Sequence, residues 1–390
     1  MDKSKPYVES LYGIMDRGEI QSRIENDPSM VNGNVFCSFA NDSMRTVFQN
    51  ANVTKDESKH FSAAVVWGHG SYWKALEIAE RDNCPLILCE DGFIRSIDTW
   101  CNNKTSYRNT QSVSMTMDTH GYYFDAQRNN RLVTMLNSDE MVSEENKNLA
   151  HKLIDSIIDN RVSKYNHQPF DISDKNLGHH SKKVLVVDQS YGDFSVKRGG
   201  ADENTFSKML YDAIHDNEDA DILVKVHPDS IAPGTTRKGY YQNIKAEGNV
   251  IPISFPCNPF SLLEKVDKVY VCSSQLGFEA LMAGKDVVVY GRPFYAGWGL
   301  TDDKQDFSKN RLRKRTLEEL VYFTYYRYVI WYNPDTHHRC GVDEAINWII
   351  SNRGMVEKAS NINKVSKPSI SAVPKSQYDN PYFVGAYKGG

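Results

Sequence analysis

Short apolar runs that end in loops of glycine and polar residues recur along this chain, and they constrain its fold more than any other feature. Six such runs lie at residues 63–67, 85–89, 184–187, 220–226, 268–272 and 286–290. Helix-like segments follow several of the loops, for example at residues 72–82 and 203–214. Buried parallel strands have this continuous apolar character, and parallel neighbours need a crossover connection. The pattern therefore predicts an α/β protein with parallel sheets and right-handed crossovers.

Length and composition divide this pattern into two domains. The chain has 390 residues, 40% of them apolar and 25% charged, which suits two soluble domains better than one large domain. Between residues 163 and 181 the sequence becomes polar and loses its apolar period. We predict an N-terminal Rossmann-like domain at residues 1–165, a linker at 166–181, a C-terminal Rossmann-like domain at 182–355, and a flexible tail or linker at 356–390.

Three shorter segments receive specific predictions. Residues 112–117 and 121–124 have the composition of short strands. The aromatic-rich stretch at residues 316–332 is predicted to be one helix that ends before an Asn-Pro turn.

Charge, hydropathy and cysteine usage exclude several classes of protein. A net charge of -4 lacks the basic footprint of nucleic-acid binding. We find no run of apolar residues long enough for a transmembrane helix and no signal peptide. The seven cysteines lie at positions 37, 84, 89, 101, 257, 272 and 340 and form no C-x-x-C pair. We therefore expect reduced core cysteines in a cytoplasmic protein.

The run at residues 184–187 leads into the loop that is the main candidate for a functional site. The loop carries Asp193, two basic residues and a glycine pair that ends at Gly200. Ligands of open α/β sheets bind beyond the carboxyl ends of the strands, so this loop suits an anionic substrate. We predict that Asp193 performs chemistry on such a substrate. The alternative is that Asp193 caps the following helix or a turn.

A second candidate follows the run at residues 85–89, where the chain reads Glu90-Asp91-Gly92 with Arg95 shortly after. Neighbouring side chains of an extended chain point in opposite directions. One carboxylate can therefore serve as acid or base while the other anchors the structure. We predict that Glu90 contacts the substrate, and the alternative is a solvated acidic turn.

Two further loops are candidates for holding a phosphate. His227 follows a strand, with Lys225 before it and a proline after it, and a histidine so placed can bind phosphate or donate a proton near neutral pH. A structural histidine is the alternative. Ser273 and Ser274 lie between a strand and a helix, where hydroxyl and open N–H groups favour phosphate. Simple N-capping by either serine is compatible with that role.

Two other short motifs are less specific. Gly68-His69-Gly70 follows a strand and precedes a helix, so its backbone would admit a ligand closely, or it forms a plain tight turn. Asp219 and Asp221 have the D-x-D spacing of some metal-dependent sugar transferases. They precede a strand, at the opposite end of the sheet from the candidate loops, and we reject them as a metal site.

Taken together, these motifs resemble those of the bacterial capsule-type β-Kdo transferases (Kdo is 3-deoxy-D-manno-octulosonic acid). The matching segments are Trp67-Gly-His-Gly, Glu90-Asp-Gly-Phe-Ile-Arg-Ser, Gln189-x-x-x-Asp193-x-Ser195, Lys225-x-His-Pro-Asp229, Ser273-Ser-Gln-Leu-Gly-Phe-Glu-Ala and Gly291-Arg-Pro-Phe-Tyr-Ala-Gly-Trp-Gly-Leu-Thr-Asp302. They occur in order over residues 35–350. The resemblance implies an α/β, GT-B-like fold with two Rossmann-like domains facing across a cleft. The N-terminal domain (residues 1–165) would lie on the acceptor side, and the C-terminal domain (residues 182–355) would bind the CMP-sugar.

The resemblance also implies roles for individual residues. Asp193 would be the nucleophile and Glu90 the acid/base, so that two inversions give retention. The CMP moiety would be held by Lys225, His227, Ser273, Ser274, Gln275 and Glu279, with Glu279 on the ribose. Other substrate contacts would come from Asp91, Gly92, Arg95, Gln189, Ser195, Lys197 and Arg198, and one of the basic residues would pair with the Kdo carboxylate. Many family members have acidic residues between the Gln and the Asp, whereas Ser190-Tyr-Gly intervene here, and Asp188 competes for the nucleophile role.

The leading hypothesis is a cytoplasmic retaining β-Kdo transferase for a surface polysaccharide such as capsule or O antigen. It would use CMP-Kdo and a glycan acceptor, which we expect to be lipid-linked, and it would need no cofactor or metal. We expect partners among other modules of a polysaccharide assembly system and no nucleic-acid partner; a peripheral position at the inner membrane is left open. The alternatives are an inverting CMP-sialic acid-type transferase and a non-catalytic glycan- or nucleotide-binding module.

Overall fold

A computed structural model describes residue 24 and residues 27–39, 41–68, 71–99, 105–231 and 237–362. His69, Gly70 and the part of the predicted tail beyond residue 362 lie outside the described residues. In the part that is described, no helix is long and apolar enough to cross a membrane.

Strands and helices alternate along most of the chain. The strands are β1 (Gly33–Cys37), β2 (Ala51–Thr54), β3 (Ala63–Trp67), β4 (Leu86–Asp91), β5 (Ser114–Asp118), β6 (Lys182–Val187), β7 (Ala220–Lys225), β8 (Val250–Ile253), β9 (Lys268–Val271), β10 (Asp286–Val289), β11 (Asp302–Asp303), β12 (Val329–Asn333) and β13 (His338–Arg339). The helices are α1 (Asp42–Val47), α2 (Tyr72–Asp82), α3 (Tyr107–Thr110), α4 (Arg131–Asn137), α5 (Glu144–Asp159), α6 (Phe194–Arg198), α7 (Glu203–His215), α8 (Pro228–Ile231), α9 (Pro259–Leu263), α10 (Leu276–Met282), α11 (Leu317–Val321) and α12 (Val342–Ile362). A short 3₁₀ helix lies at Pro28–Met30, and a π-helical segment, Tyr322–Tyr328, continues α11.

The described residues form two compact units, each built on one sheet. Unit 1 contains the chain up to Tyr122 and the chain from Val329 onward, whereas unit 2 is Tyr123–Tyr328. This division differs from the predicted domain boundaries at residues 165 and 182, because α5 and the polar segment at 166–181 belong to unit 2.

The sheet of unit 1 has the strand order β13-β12-β5-β4-β3-β1-β2. Strands β1 to β4 pair in parallel, as the apolar runs predict. Strand β5 pairs antiparallel with β4, and β12 pairs antiparallel with β5. Buried residues of these strands, among them Val35, Val65 and Ile87, form one core with residues of α1.

The sheet of unit 2 has the order β11-β10-β9-β6-β7-β8, and its neighbouring strands are parallel. Its core contains Val184 and Val186 of β6 together with Phe206 and Met209 of α7. Helix α7 begins with a capping box between Asp202 and Thr205, which satisfies N–H groups that the first helical turn leaves open. The predicted α/β class is confirmed. The predicted parallel pairing holds throughout the sheet of unit 2 and for β1 to β4 of unit 1, whereas β5 and β12 of unit 1 pair antiparallel.

Two segment predictions were wrong. Residues 121–124 form a turn instead of a strand, in which the rings of Tyr123 and Phe124 pack edge-on against Phe294 and Phe194. The stretch predicted as one helix at residues 316–332 is helical only to Tyr328 and then becomes β12. Its apolar and aromatic residues are compatible with either structure, and pairing with β5 selects the strand.

Candidate functional site

The carboxyl ends of β6, β7 and β9 lie side by side in the sheet of unit 2, since β6 pairs with both β7 and β9. Three loops with predicted functional residues begin at these ends. Gln189 and Asp193 follow β6, His227 follows β7, and Ser273 follows β9. The topology therefore brings these residues to one edge of the sheet, where α/β proteins bind ligands.

Asp188 connects the loops after β6 and β7 with residues 240 and 241. Its buried side chain (2% exposed) accepts hydrogen bonds from the backbone N–H groups of Gln189 (2.8 Å), Tyr240 (2.8 Å), Tyr241 (3.2 Å) and His227 (3.3 Å). Burial raises the pKa of the Asp188 carboxyl group, and the four N–H donors oppose that shift. The carboxylate is therefore a buried tether between three segments of chain.

Direct side-chain contacts connect the loop after β6 with the other two loops. The Gln189 amide donates to the Ser273 hydroxyl at 3.1 Å and accepts from the Ser273 N–H at 2.9 Å. The Ser190 hydroxyl lies 3.3 Å from Nδ1 of His227. These contacts hold the predicted phosphate-binding residues Ser273 and His227 next to the loop that contains Asp193.

Asp193 is exposed at the start of α6. Its carboxylate accepts a hydrogen bond from the Ser195 N–H at 2.7 Å and so caps the helix. The positive φ of Gly192 (77°) allows the tight turn before it. The capping role that the sequence left open is thus present in the structure, and the exposed carboxylate is also accessible to a substrate.

The basic residues of α6 have different surroundings. Lys197 is exposed. Arg198 donates to the Gln127 side chain at 2.8 Å, lies 4.0 Å from the buried Asp125 carboxylate, and packs over the Phe194 ring. Arg198 therefore fastens α6 to residues 125–127.

The other predicted nucleotide-binding residues also have partners in unit 2. Lys225 donates from Nζ to the Phe255 carbonyl at 3.1 Å, and burial lowers its pKa. The Ser274 hydroxyl accepts a hydrogen bond at 3.3 Å from the N–H of Leu276, the first residue of α10, while Gln275 occupies the N-cap position without a side-chain cap.

Glu279 is buried in α10, with 4% of its surface exposed. Its carboxylate accepts a hydrogen bond from the Ser163 hydroxyl at 2.7 Å and a longer one from the Gln275 amide at 3.5 Å. Burial raises the pKa of Glu279 to about 7, and the bond from Ser163 opposes the shift. The structure thus uses Glu279 to join α10 to the segment after α5.

The predicted residues of unit 1 cluster at the end of β4. Glu90 is half-buried and accepts the Asp91 N–H at 2.9 Å. Asp91 forms an ion pair with Arg95 at 2.9 Å, and Arg95 also donates to the Thr110 carbonyl at 2.9 Å. One Asp91 oxygen is buried without a hydrogen-bond partner. Asp91 and Arg95 therefore brace the loop after β4.

Gly92 follows directly. A Cβ atom there would lie 2.0 Å from Oγ of Ser114 in β5. This position therefore needs glycine because β5 passes close by.

No group of three His, Cys, Asp or Glu side chains among the residues that the structure describes is arranged to hold a metal ion. At the amino end of β7, Asp219 pairs with Lys182 at 3.1 Å. Asp221 pairs with His180 at 2.8 Å and with Lys183 at 3.3 Å. Both aspartates thus have cationic or histidine partners.

The structure identifies two features that the sequence analysis missed. The sequence presents Asp188 only as a rival nucleophile, whereas the structure shows it as a buried tether. The segment at residues 238–242 received no role. It pairs with the loop after β6, where Tyr191 N–H donates to the Lys238 carbonyl at 2.7 Å, and this long-range contact leaves no sequence pattern.

Comparison with known proteins places these residues in a family. The family model "Capsule polysaccharide biosynthesis protein" matches residues 62–332. The capsule polysaccharide modification protein LipA of Neisseria meningitidis is 34% identical over 314 residues, which cover 78% of this chain and 43% of LipA. The lipopolysaccharide-processing protein LpsZ of Rhizobium meliloti is 36% identical over 276 residues, 69% of this chain and 60% of LpsZ. The chain thus spans about half the length of these relatives.

Solved structures agree with the sequence comparison. The beta Kdo 2,4 transferase of Thermosulfurimonas dismutans KpsC matches with a TM-score of 0.72 and 34% identity, over 82% of this chain and 98% of that structure. The beta Kdo 2,7 transferase of the same KpsC shares the fold, with a TM-score of 0.58 and 23% identity, over 82% of this chain and 99% of that structure. These matches confirm the GT-B-like α/β fold class. Since the family model covers most of the sequence, from β3 through β12, the chain belongs to the capsule polysaccharide biosynthesis protein family.

Proposed function

We propose that the chain is a β-Kdo transferase that moves Kdo from CMP-Kdo to a glycan acceptor in the synthesis of a bacterial surface polysaccharide. The observation that carries this proposal is the 34% identity, over 82% of the chain, with a solved structure described as a beta Kdo 2,4 transferase. Family membership supports the role in polysaccharide synthesis. The donor and the acceptor class come from the resemblance of the motifs.

The contacts at the carboxyl edge of unit 2 support a binding site for the CMP moiety there. Gln189 holds Ser273 through two contacts of 2.9 and 3.1 Å, and Ser190 lies 3.3 Å from His227. A hydroxyl and an imidazole that converge on one edge can donate hydrogen bonds to a phosphate. The contact of Glu279 with the ribose is implied by the resemblance alone. To make it, the Glu279 carboxylate would have to give up its hydrogen bond from Ser163 for one from a ribose hydroxyl.

In the proposed mechanism the reaction has two displacements. A carboxylate oxygen of Asp193 attacks the anomeric carbon of Kdo, the bond from that carbon to the phosphate oxygen breaks, and CMP leaves with the electron pair. The oxygen of the acceptor hydroxyl then attacks the same carbon and releases Asp193. Each displacement inverts the anomeric centre, so the product keeps the configuration of the donor.

Two other groups complete the proposal. Glu90 takes the proton of the acceptor hydroxyl in the second displacement. The carboxylate of Kdo needs a cationic partner. Because Arg95 is bound to Asp91, and Arg198 to Gln127 and Asp125, the exposed Lys197 is our first candidate for that partner.

The first prediction concerns the covalent intermediate. After incubation with CMP-Kdo, the intact mass of the protein should increase by one Kdo residue, and Asp193→Ala should abolish this increase. Asp202→Ala is the matched control, because Asp202 is also an exposed aspartate that caps a helix, through a 2.8 Å bond from the Thr205 N–H.

The outcomes separate the alternatives. An adduct that persists in Asp193→Ala would remove Asp193 from the nucleophile role. A product with inverted anomeric configuration by NMR, formed without any adduct, would favour an inverting transferase. If the protein binds CMP but liberates no CMP from CMP-Kdo over hours with any of several acceptors, a non-catalytic module would be favoured.

A further inference from the structure

A cavity of about 670 Å³ lies in unit 2 between α7 and the segment at residues 238–242. Its volume falls within the range of ligand pockets, roughly 300–1,000 Å³. Tyr191, at the tip of the loop after β6, forms part of its wall. The cavity therefore adjoins the loop that carries Asp193, and none of the sequence motifs assigns it a role.

Aromatic rings line this cavity. The Tyr240 ring stacks on Phe206, with centroids 3.8 Å apart and an interplanar angle of 2°. The Tyr191 ring lies 5.2 Å from that of Tyr240. Tyr211 of α7 is 59% exposed and stacks on His215. Because neighbouring rings support Tyr240 and Tyr211, these residues present stiff planar surfaces.

Polar groups accompany the rings. Lys238, Ser207 and Gln242 also line the cavity. The Tyr191 hydroxyl donates a hydrogen bond to the Glu203 carboxylate, which also lines the wall. A sugar ring has an apolar face of C–H groups and a rim of hydroxyls, so it matches a surface that combines aromatic faces with hydrogen-bonding side chains.

The cavity is also close to the proposed chemistry. Ser190 contacts His227, whereas the next residue, Tyr191, lines the cavity, so the loop separates the predicted phosphate-binding residues from the cavity. Burial, and to a smaller extent the carboxylate of Asp193, raises the pKa of Tyr240, while the backbone of Gly192 interacts with its hydroxyl and lowers it. Tyr240 and Tyr191 are thus neighbours in the cavity wall, and Tyr191 lies two residues before Asp193 in the same loop.

We propose that this cavity binds a sugar residue of the glycan acceptor, with Tyr240 and Tyr211 as stacking surfaces and Lys238 as a charged contact. The proposal depends on the proposed function for the name "acceptor", because the geometry by itself indicates a sugar site. It assigns this part of acceptor recognition to unit 2, beside the loop that carries the proposed nucleophile, whereas the sequence prediction assigns the acceptor to the N-terminal domain.

The test begins with direct binding. Saturation-transfer NMR with the methyl glycosides of Kdo, galactose and N-acetylglucosamine should give ring-proton signals with the wild-type protein for at least one of them. Tyr211→Ala and Tyr240→Ala should weaken that signal. Tyr107→Ala removes another exposed tyrosine (66% exposed), which lies in unit 1, and should leave it intact. The unfolding midpoint of each variant checks that Tyr240→Ala, which loses the stack on Phe206, remains folded.

Steady-state kinetics with CMP-Kdo and the glycoside that binds then show whether the cavity holds the acceptor or the donor. We expect the KM for the acceptor to rise about threefold to tenfold in Tyr211→Ala, a loss comparable to one aromatic contact, with no such rise in the KM for CMP-Kdo. A rise in the donor KM alone would overturn the proposal and assign the cavity to the donor. Absence of binding by all three glycosides to the wild-type protein would also overturn it. Tyrosine-dependent binding without any Kdo transfer would contradict the proposed function and retain the sugar site.

Discussion

At the scale of single residues, buried carboxylates organise unit 2 more than the sequence indicates. Asp188 and Glu279 are both nearly inaccessible, at 2% and 4% exposed. Asp188 accepts four backbone N–H groups, whereas Glu279 accepts side-chain bonds from Ser163 and Gln275. Because an unpaired buried charge is costly, these partners are part of the fold, and removing them would affect the candidate site indirectly.

Glu279 makes the stability of unit 2 depend on pH. Its pKa is about 7 in the folded protein against an ordinary value of 4.5. Between these values the folded state holds a proton that the unfolded state has lost, so this group stabilises the fold fully below pH 4.5 and the contribution disappears as pH rises through 7. Across that window we predict a loss of roughly 3 kcal/mol in the free energy of unfolding, and Glu279→Gln should remove it.

Urea unfolding at pH 5 and pH 7.5 measures this effect as the difference between the wild-type protein and Glu279→Gln. The exposed Glu247, changed to Gln in the same way, is the control and should follow the wild-type protein at both pH values. A difference between wild-type protein and Glu279→Gln that does not change with pH would contradict the assignment.

At the scale of secondary-structure elements, the pairing of β4 with β5 in unit 1 gives a structural reason for residues that the sequence motifs suggest are functional. Gly92 resembles a ligand-approach glycine, yet its neighbour is β5. An added Cβ atom would lie 2.0 Å from Oγ and 2.7 Å from Cβ of Ser114. Asp91 and Arg95 brace the same loop by their ion pair. In the motif Glu90-Asp-Gly, Asp91 and Gly92 are therefore required for packing of the loop. Glu90 is the residue of the motif that we predict to act on the substrate.

Gly92→Ala should destabilise the protein by about 1–3 kcal/mol, the usual cost of overpacking a well-packed site. Chemical denaturation monitored by circular dichroism measures the change. Gly341→Ala is the matched control in the same unit, because a Cβ atom at Gly341 would meet nothing within 4 Å. Equal stability of the two variants would show that β5 can move away from Gly92 at little cost.

At the scale of the whole molecule, unit 1 is assembled from two distant parts of the chain, whereas unit 2 is continuous. Strand β12 returns to pair with β5 through Val329, Ile330 and Trp331. Buried residues of α12, including Ile346 and Ile349, follow in the same unit. Unit 1 is therefore completed only by residues that come after the whole of unit 2.

This discontinuity predicts different behaviour for two fragments. Residues 123–328 alone should unfold in one cooperative urea transition, because that segment contains the complete parallel sheet of unit 2. A chain that ends at residue 328 should lose hydrogen-exchange protection in β4 and β5, while β6 and β7 remain protected. Retained protection of β5 in the shortened chain would contradict the role assigned to β12.

The candidate site shows the same contrast between local pattern and tertiary structure. The sequence predicts that Asp193, His227 and Ser273 follow parallel strands, and the structure brings their loops to one edge of the sheet of unit 2. The sequence gives no indication of the Gln189–Ser273 contacts or of the hydrogen bonds from residues 240 and 241 to Asp188. These contacts join residues more than 50 positions apart in the chain, and no local period encodes them.

The sequence by itself determines the α/β class, the parallel strands at the centre of both sheets and the identity of most strands, because apolar runs and capping residues act over a few positions. Only the tertiary structure decides that residues 329–333 form a strand of unit 1, since pairing with β5 overrides an ambiguous local preference. It also decides which polar residues are available for chemistry. Burial and long-range hydrogen bonds occupy Asp188, Glu279 and Arg198, whereas Asp193 and Lys197 remain exposed at the carboxyl edge of the sheet.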